Sequence, residues 1–505
     1  MEFLTNLGLA ASVAIEPANL ALCLAGVLIG TLVGVLPGLG PTATISMLLP
    51  VTFALSPIQA IIMLSGIYYG AYYGGSITSI LMNIPGEAAS VVTCLDGYQM
   101  ARKGRAGAAL GMSAIGSFVG ATVSLVIMFF VAPAVAGIAL SFGPPEFVSL
   151  AVLGLTLVTF LSSGSMVKAF VMATLGILLA STGLDTVTGR ERFTGGFTAL
   201  AEGLNIVPVA MGLFGVSEVL LNLERSSKTR EVFEAQLNPL LPSREDWRVC
   251  ALPIARGSVL GFLLGIIPGG GGVLASFASY AVEKRSARDA SGFGFGDIRG
   301  VAGPETANNA AAQSSFIPML TMGIPTNAVM AVLLGALTLH GVTMGPRIIV
   351  EQPQLFWGVL GSMYVGNLML LVLNLPLVGL WVRLIKVPYH YLFPLILLFC
   401  MIGAYTVNNA VYDIYVMIAF GVGGYLLRKF GYEPAPLILA FVLAPILEDA
   451  FRQSLIISGG NPSIFVSRPI SAGFLAVAVL LLLSPLILNK FGVSRARELA
   501  VVDDP

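Results

Sequence analysis

Apolar segments long enough to cross a lipid bilayer recur from one end of this chain to the other. They lie near residues 58–82, 107–133, 147–163, 165–182 and 203–222, then near 304–322, 355–381, 390–405, 410–426, 435–449 and 470–488. A helix needs about 20 apolar residues to span the hydrocarbon layer. With no water there, helices satisfy their own backbone hydrogen bonds. The recurrence predicts an all-α polytopic membrane protein and overrides the soluble multidomain arrangement that 505 residues would otherwise suggest. Charged residues make up 10% of the chain, against about 25% in soluble domains. Acidic and basic residues balance at 26 each, which excludes a basic nucleic-acid binder. Cys23, Cys94, Cys250 and Cys400 are scattered, and His340 and His390 are the whole histidine complement, so no His-rich metal centre is expected. The chain carries no Walker A, HExxH or GxSxG pattern, no TVGYG filter and no arginine ladder, which argues against an ATPase, a hydrolase or a cation channel.

Alternating the spans places the basic clusters on one face: Arg102 to Arg105, Arg225 to Arg256, Lys284 to Arg299, Arg383 with Lys386, Arg428 with Lys429, and Lys490 to Arg497. Lys168 joins them, reaching that face along its apolar stem. Arg190, Arg192, Arg347, Arg452 and Arg468 are left opposite. Positive residues favour the cytoplasm, so the N-terminus is expected outside and the C-terminus inside.

Two segments resist this scheme. Residues 18–55 begin and end outside, broken at Pro37-Gly38-Leu39-Gly40-Pro41; residues 251–283 begin and end inside, broken at Pro268-Gly269-Gly270-Gly271-Gly272. Each reads as a helical hairpin with a glycine-rich tip. The two are related: GVLIGTLVGVLPGLG (26–40) and GSVLGFLLGIIPGGG (257–271) share proline and most glycines in register. SILMNIPGEA (79–88) matches MLTMGIPTNA (319–328), and LDGYQM (95–100) matches LHGVTM (339–344). Three ordered matches predict a duplication. An odd span count forces the second copy upside down, giving two inverted-topology repeats, each a broken hairpin plus about five spans. The expected division is a first repeat over 1–222 with hairpin 18–55, a cytoplasmic linker over 223–250, and a second repeat over 251–449 with hairpin 251–283. Residues 450–505 supply an extra span and a cytoplasmic tail. Paired interrupted helices in inverted repeats point to a secondary transporter with a midplane site.

Half-helices meeting at a cavity offer free N–H groups to an anion. On that ground Gly38, Gly40, Thr42, Gly269, Gly270, Gly271, Thr326 and Asn327 are the candidate substrate-binding residues, with glycine packing and proline kinks as the plain alternative. Asn83, Glu305 and Asn309 are the candidates for a coupling ion, because polar side chains at membrane depth should face a cavity or protein. Beyond a possible Na⁺, no metal is expected. An anion bound without a buried Lys or Arg needs helix ends and bound cations to offset its charge, which favours cation symport, Na⁺ or H⁺. Tyr68, Tyr69, Tyr72 and Tyr73, interleaved with glycines, read as close helix packing. Asp96, Arg102, Lys103, His340 and Arg347 read as solvated interface.

The stretches GVLPGLGPTATISMLLP (34–50), YYGAYYGGSITSILMNIPGEAASVVTCLDGYQMARKGRAGAALG (68–111), GIIPGGGG (265–272) and GPETANNAAAQSSFIPMLTMGIPTNAVMAVLLGAL (303–337) resemble the large membrane subunit of the tripartite tricarboxylate transporters. The resemblance implies a carrier of the bacterial inner membrane that imports a carboxylate such as citrate on an ion gradient, and not an enzyme. It implies two partners: a small transmembrane subunit and a periplasmic substrate-binding protein. A stand-alone carboxylate symporter of similar fold is the alternative reading. The outer loops 183–202, 341–354 and 450–469 are candidate docking surfaces.

Overall fold

The computed structural model describes residues 2–36, 40–161, 165–185, 188–224, 239–269, 271–384 and 389–490. In chain order the helices are α1 Glu2–Ala14, α2 Pro17–Val35, α3 Pro41–Thr52, α4 Pro57–Met82, α5 Val91–Met100, α6 Ala106–Ala139, α7 Pro144–Leu161, α8 Met166–Ala180, α9 Ile206–Ala210 and α10 Ser217–Glu224. After them come α11 Arg244–Ile266, α12 Gly271–Ser286, α13 Arg299–Ser314, α14 Phe316–Met322, α15 Ala328–Leu339, α16 Ile348–Glu351 and α17 Pro353–Asn374. The last are α18 Val378–Leu384, α19 Tyr389–Asn408, α20 Val411–Lys429, α21 Pro434–Ile457, α22 Ile464–Ser467 and α23 Pro469–Lys490. The protein is an all-α polytopic membrane protein: among the described residues seven helical stretches are long and apolar enough to cross a bilayer. One exception to helix is a two-stranded antiparallel ribbon, Gly183–Leu184 with Glu191–Arg192.

Several boundaries differ from the sequence reading. The apolar run at 304–322 is two helices, α13 and α14, meeting at Ser315. The stretch expected to link the repeats is helical from Arg244, where a Ser243–Asp246 capping box starts α11; residues 225–238 of it lie outside the described residues. Helix α1, which no apolar run announced, packs against α17. Helix α4 is buried along nearly its whole length. Its tyrosines, serines and glycines face other helices rather than lipid.

The core is organised by backbone-to-backbone contact. Along α2, a Cβ added to Gly26, Gly30 or Gly34 would collide with the carbonyls of Met63, Ile67 and Ala71 on α4. Along α11, a Cβ on Gly257, Gly261 or Gly265 would collide with the carbonyls of Gly303, Ala307 and Ala311 on α13. Those α4 and α13 residues stand 240 positions apart, pair by pair, so one ladder geometry occurs twice. Lipid supplies no hydrophobic drive between helices, so van der Waals contact across small residues does the work. The hairpin legs also reach across the molecule: α3 packs on α15, and α12 packs on the turn at Ala88–Ser90.

Gly261→Ala should therefore lower the melting temperature in detergent by several degrees, reflecting about 1–3 kcal/mol of overpacking. Gly423→Ala, in a helix with open space around it, should leave melting unchanged or slightly raised. Equal melting of the two variants would refute the close approach.

Candidate functional site

Both Ile-Pro breaks are built alike. Helix α4 ends at Asn83 in the left-handed region (φ 56°, ψ 29°), and α14 ends at Gly323 with φ 67° and ψ 24°. Pro85 and Pro325 follow; each lacks an N–H and biases the residue before it away from helix. Four residues past each left-handed cap comes an extended residue that starts the next helical turn. Glu87 accepts the Ala89 N–H at 2.8 Å, and the Asn327 side-chain oxygen accepts the Met330 N–H at 3.0 Å. Glu87 and Asn327 thus act first as N-caps.

The second hairpin tip meets the second Ile-Pro break directly. The Gly269 N–H donates to the Thr326 carbonyl at 2.8 Å, with Gly269 at φ 80° and pressed against the α7 backbone at Val158. Gly271 lies beside the Asn327 amide. Asn327 Nδ2 donates to the Tyr68 hydroxyl at 3.1 Å, and the Tyr68 and Tyr72 hydroxyls are 3.3 Å apart. The Tyr72 ring covers Gly272 at the start of α12. Gly269, Gly271, Thr326 and Asn327 are therefore brought together, with α4 tyrosines between them. Tyr68 and Tyr72 do pack closely, but their hydroxyls also belong to this cluster, which glycine spacing alone did not reveal.

Gly40 and Thr42 sit at the start of α3. The Gly40 carbonyl accepts the Thr44 N–H and hydroxyl, and the Thr42 carbonyl accepts the Ser46 hydroxyl. No side chain caps this helix, and the space beside Gly40 is open. The first turn therefore keeps free N–H groups for an anion. Helix α3 packs on α15, the helix that Asn327 caps. Gly38 and Gly270 lie outside the described residues.

A second polar centre surrounds Glu305 on α13, which is fully buried. Its carboxylate accepts hydroxyl hydrogen bonds from Ser76 on α4 (2.5 Å), Ser113 on α6 (3.1 Å) and Thr93 on α5. Asn309 donates to the Ser117 hydroxyl (2.8 Å), the Glu305 carbonyl (3.1 Å) and Asn308 Oδ1 (2.7 Å). Glu305 and Asn309 are thus neighbours. Asn83 is not among them: it is exposed at the end of α4, two turns beyond Ser76. Ser76, Thr93 and Ser113 had no signal in the sequence, because a lone hydroxyl on a helix usually bonds its own preceding turn.

A cavity of about 1160 Å³ opens on the face that the charge pattern places outside. It descends between the loops at 142–147, 198–206, 342–346 and 408–413 to Met322 and Gly323. Glu202, Asp413 and Asp449 line it, and none of its described lining residues is Lys, Arg or His.

Asp96 departs from its expected solvated setting. It is fully buried and accepts N–H groups from Gly294 (2.8 Å), Gly296 (2.8 Å) and Asp297 (2.9 Å), and the Tyr280 hydroxyl (3.0 Å). Lys103 holds the same loop through the Phe295 carbonyl at 2.6 Å. Within the loop the Ser291 N–H holds the Asp289 carboxyl below its ordinary range. His340, at the matching place in the second half, pairs with Thr52 of α3 at 3.2 Å. Lys168 caps the Phe430 carbonyl (2.6 Å) and lies over the Tyr432 ring.

The family model for the tripartite tricarboxylate transporter TctA family matches residues 20–439. An uncharacterized 52.8 kDa protein in the TAR-I ttuC' 3' region of Agrobacterium vitis is 52% identical over 493 residues, covering 97% of this chain and 98% of that one. An uncharacterized protein in the TAR-II ttuC' 3' region of the same organism is 54% identical over 233 residues, which is 46% of this chain and 96% of that one. No solved structure matches.

Asp96→Ala strips a shared acceptor from three N–H groups and a hydroxyl, each bond to a charged group being worth about 1.5–3 kcal/mol. Limited trypsin digestion at Arg285 and Arg288 should accelerate about tenfold or more in that variant. Unchanged digestion would show that other contacts hold the loop.

Proposed function

The chain belongs to the tripartite tricarboxylate transporter TctA family, and on that premise we propose that it is an Na⁺-coupled importer of an organic polycarboxylate such as citrate. It would work as the large subunit in the bacterial inner membrane, with its N-terminus periplasmic and its C-terminus cytoplasmic. A small transmembrane subunit and a periplasmic substrate-binding protein complete the system in this reading.

The observation that carries the proposal is the hydrogen bond from the Gly269 N–H to the Thr326 carbonyl, which joins a hairpin tip to an Ile-Pro break. Around it Gly271, Asn327 and the free first turn of α3 bring N–H and amide donors to one region, which suits carboxylate oxygens. The cavity reaches Gly323, the residue that ends α14 at that Ile-Pro break. Its walls carry carboxylates and no basic side chain among the described residues. A polyanion passing them meets like charge, which accompanying cations offset. Gly38, Gly40, Thr42, Gly269, Gly270, Gly271, Thr326 and Asn327 are assigned to the substrate, and Asn83, Glu305 and Asn309 to the ion, as working roles.

Proteoliposomes containing this chain and its small subunit, supplied with the binding protein and an inward Na⁺ gradient, should accumulate labelled citrate. Accumulation should survive a proton conductance and collapse with the Na⁺ gradient. Equal uptake without the binding protein would remove the tripartite mechanism. Thr326→Ala with Asn327→Ala should reduce uptake at least about tenfold, the equivalent of about one lost hydrogen bond to a charged ligand.

A further inference from the structure

Glu305 is a fully buried carboxylate for which the described residues supply no positive partner. Glu87, Tyr73 and Cys94 are ionisable groups that act on it, and none of them carries positive charge. What surrounds it instead is polar and neutral: the hydroxyls of Ser76, Thr93 and Ser113, contributed by α4, α5 and α6, and beside them the Asn308 side chain. A buried charge in a protein is paired, neutralised or bound to a metal ion. Here pairing is absent, and the donor set is the hard-oxygen kind that alkali and alkaline-earth cations take.

We infer that Glu305, Ser76, Thr93 and Ser113 form a binding site for one monovalent cation, Na⁺, held between α4, α5, α6 and α13. Charge selects the valence: Glu305 is the carboxylate that meets these hydroxyls, while Glu87 is held by the Ala89 N–H, and one carboxylate balances one positive charge. The hydroxyls are able to turn toward an ion. The Ser76 Oγ lies 3.0 Å from the Tyr72 carbonyl as well as 2.5 Å from Glu305. Its proton goes to that carbonyl when the ion binds, and its lone pair goes to the ion. A separate feature extends the site along α13. Asn309 and Gln313 follow Glu305 at one-turn spacing on the same helix face, and both are fully buried. Among the described residues the Asn309 and Gln313 side-chain oxygens have no hydrogen-bond partner, nor do the Asn308 and Gln313 amide NH2 groups. The two oxygens follow Glu305 toward α14 and the Gly323 break and can ligate a desolvated cation on that path, the NH2 groups being donors only. Asn83, exposed and two turns away, takes no part. The role of the ion in uptake rests on the transport reading above; its binding does not.

The test uses the full chain purified in detergent, without substrate or partner subunits, in NaCl against choline chloride at constant ionic strength. The readouts are thermal melting and ²²Na⁺ binding. Wild-type protein should bind Na⁺ saturably and melt higher in Na⁺ than in choline or K⁺. Glu305→Gln should lose that Na⁺ response while still folding in choline, since its amide oxygen can accept the Ser76 and Ser113 hydroxyls and its NH2 can donate to the Thr93 hydroxyl. Thr93→Val and Ser113→Ala should raise the Na⁺ concentration needed at least about tenfold. They carry the test if Glu305→Gln does not fold. A wild-type protein without a specific Na⁺ response, or a Glu305→Gln protein that keeps it, overturns the site. So does stabilisation that follows pH instead of Na⁺ and disappears in Glu305→Gln, which would make Glu305 a proton carrier. Na⁺ binding that depends on Glu305, together with absent citrate uptake in the complete system, leaves the site standing and defeats the transport reading.

Discussion

A helix interrupted inside a membrane frees N–H and C=O groups where no water can take them. The architecture of this protein follows from finding partners for those groups. At each Ile-Pro break a left-handed residue, Asn83 or Gly323, ends one helix, and a side chain, Glu87 or Asn327, caps the next. At the tip of the second hairpin the Gly269 N–H finds the Thr326 carbonyl of the other interruption. One break therefore completes another. This makes the breaks affordable at membrane depth and sets them side by side.

The polar residues in the interior divide into two groups with different chemistry. Around Thr326 and Asn327 the available groups are mainly donors: glycine N–H groups, a helix start and an amide already engaged with Tyr68. Around Glu305 they are oxygens. Helix α13 carries the second group and leads by way of Ser315 into α14 and the break that carries the first. The donor-rich and the oxygen-rich surroundings are thus separate but adjoining, connected by one stretch of chain.

Much of this was legible in the sequence, for identifiable reasons. Span-length apolar runs announced a helical membrane protein, and proline and glycine, which report on backbone geometry, placed both Ile-Pro breaks. The glycine matches between 26–40 and 257–271 correspond to ladder positions on α2 and α11. Partnerships between distant side chains were not legible. The hydroxyls on Glu305 come from positions 192 to 229 residues away, and no local spacing encodes such a meeting. Asp96 was misread because a carboxylate near Arg102 and Lys103 resembles a membrane-surface residue. Its true partners are the distant Tyr280 hydroxyl and backbone groups of a glycine-rich loop, which carry no side-chain signature. Helix α1 escaped notice because its run of thirteen residues is shorter than a span.

The glycine ladders have one more consequence, for motion. Where α2 meets α4 and α11 meets α13, main chain rests on main chain at the glycines, and the side chains that touch those glycines are short ones such as Thr306 and Ser314. Such seams cannot yield by repacking; sliding by one residue would drive a Cβ into a carbonyl. Each pair is then a stiff strut. A change in which face of the protein is open must be absorbed elsewhere, at joints where side chains meet, such as those between α3 and α15 or between α12 and the turn after Glu87.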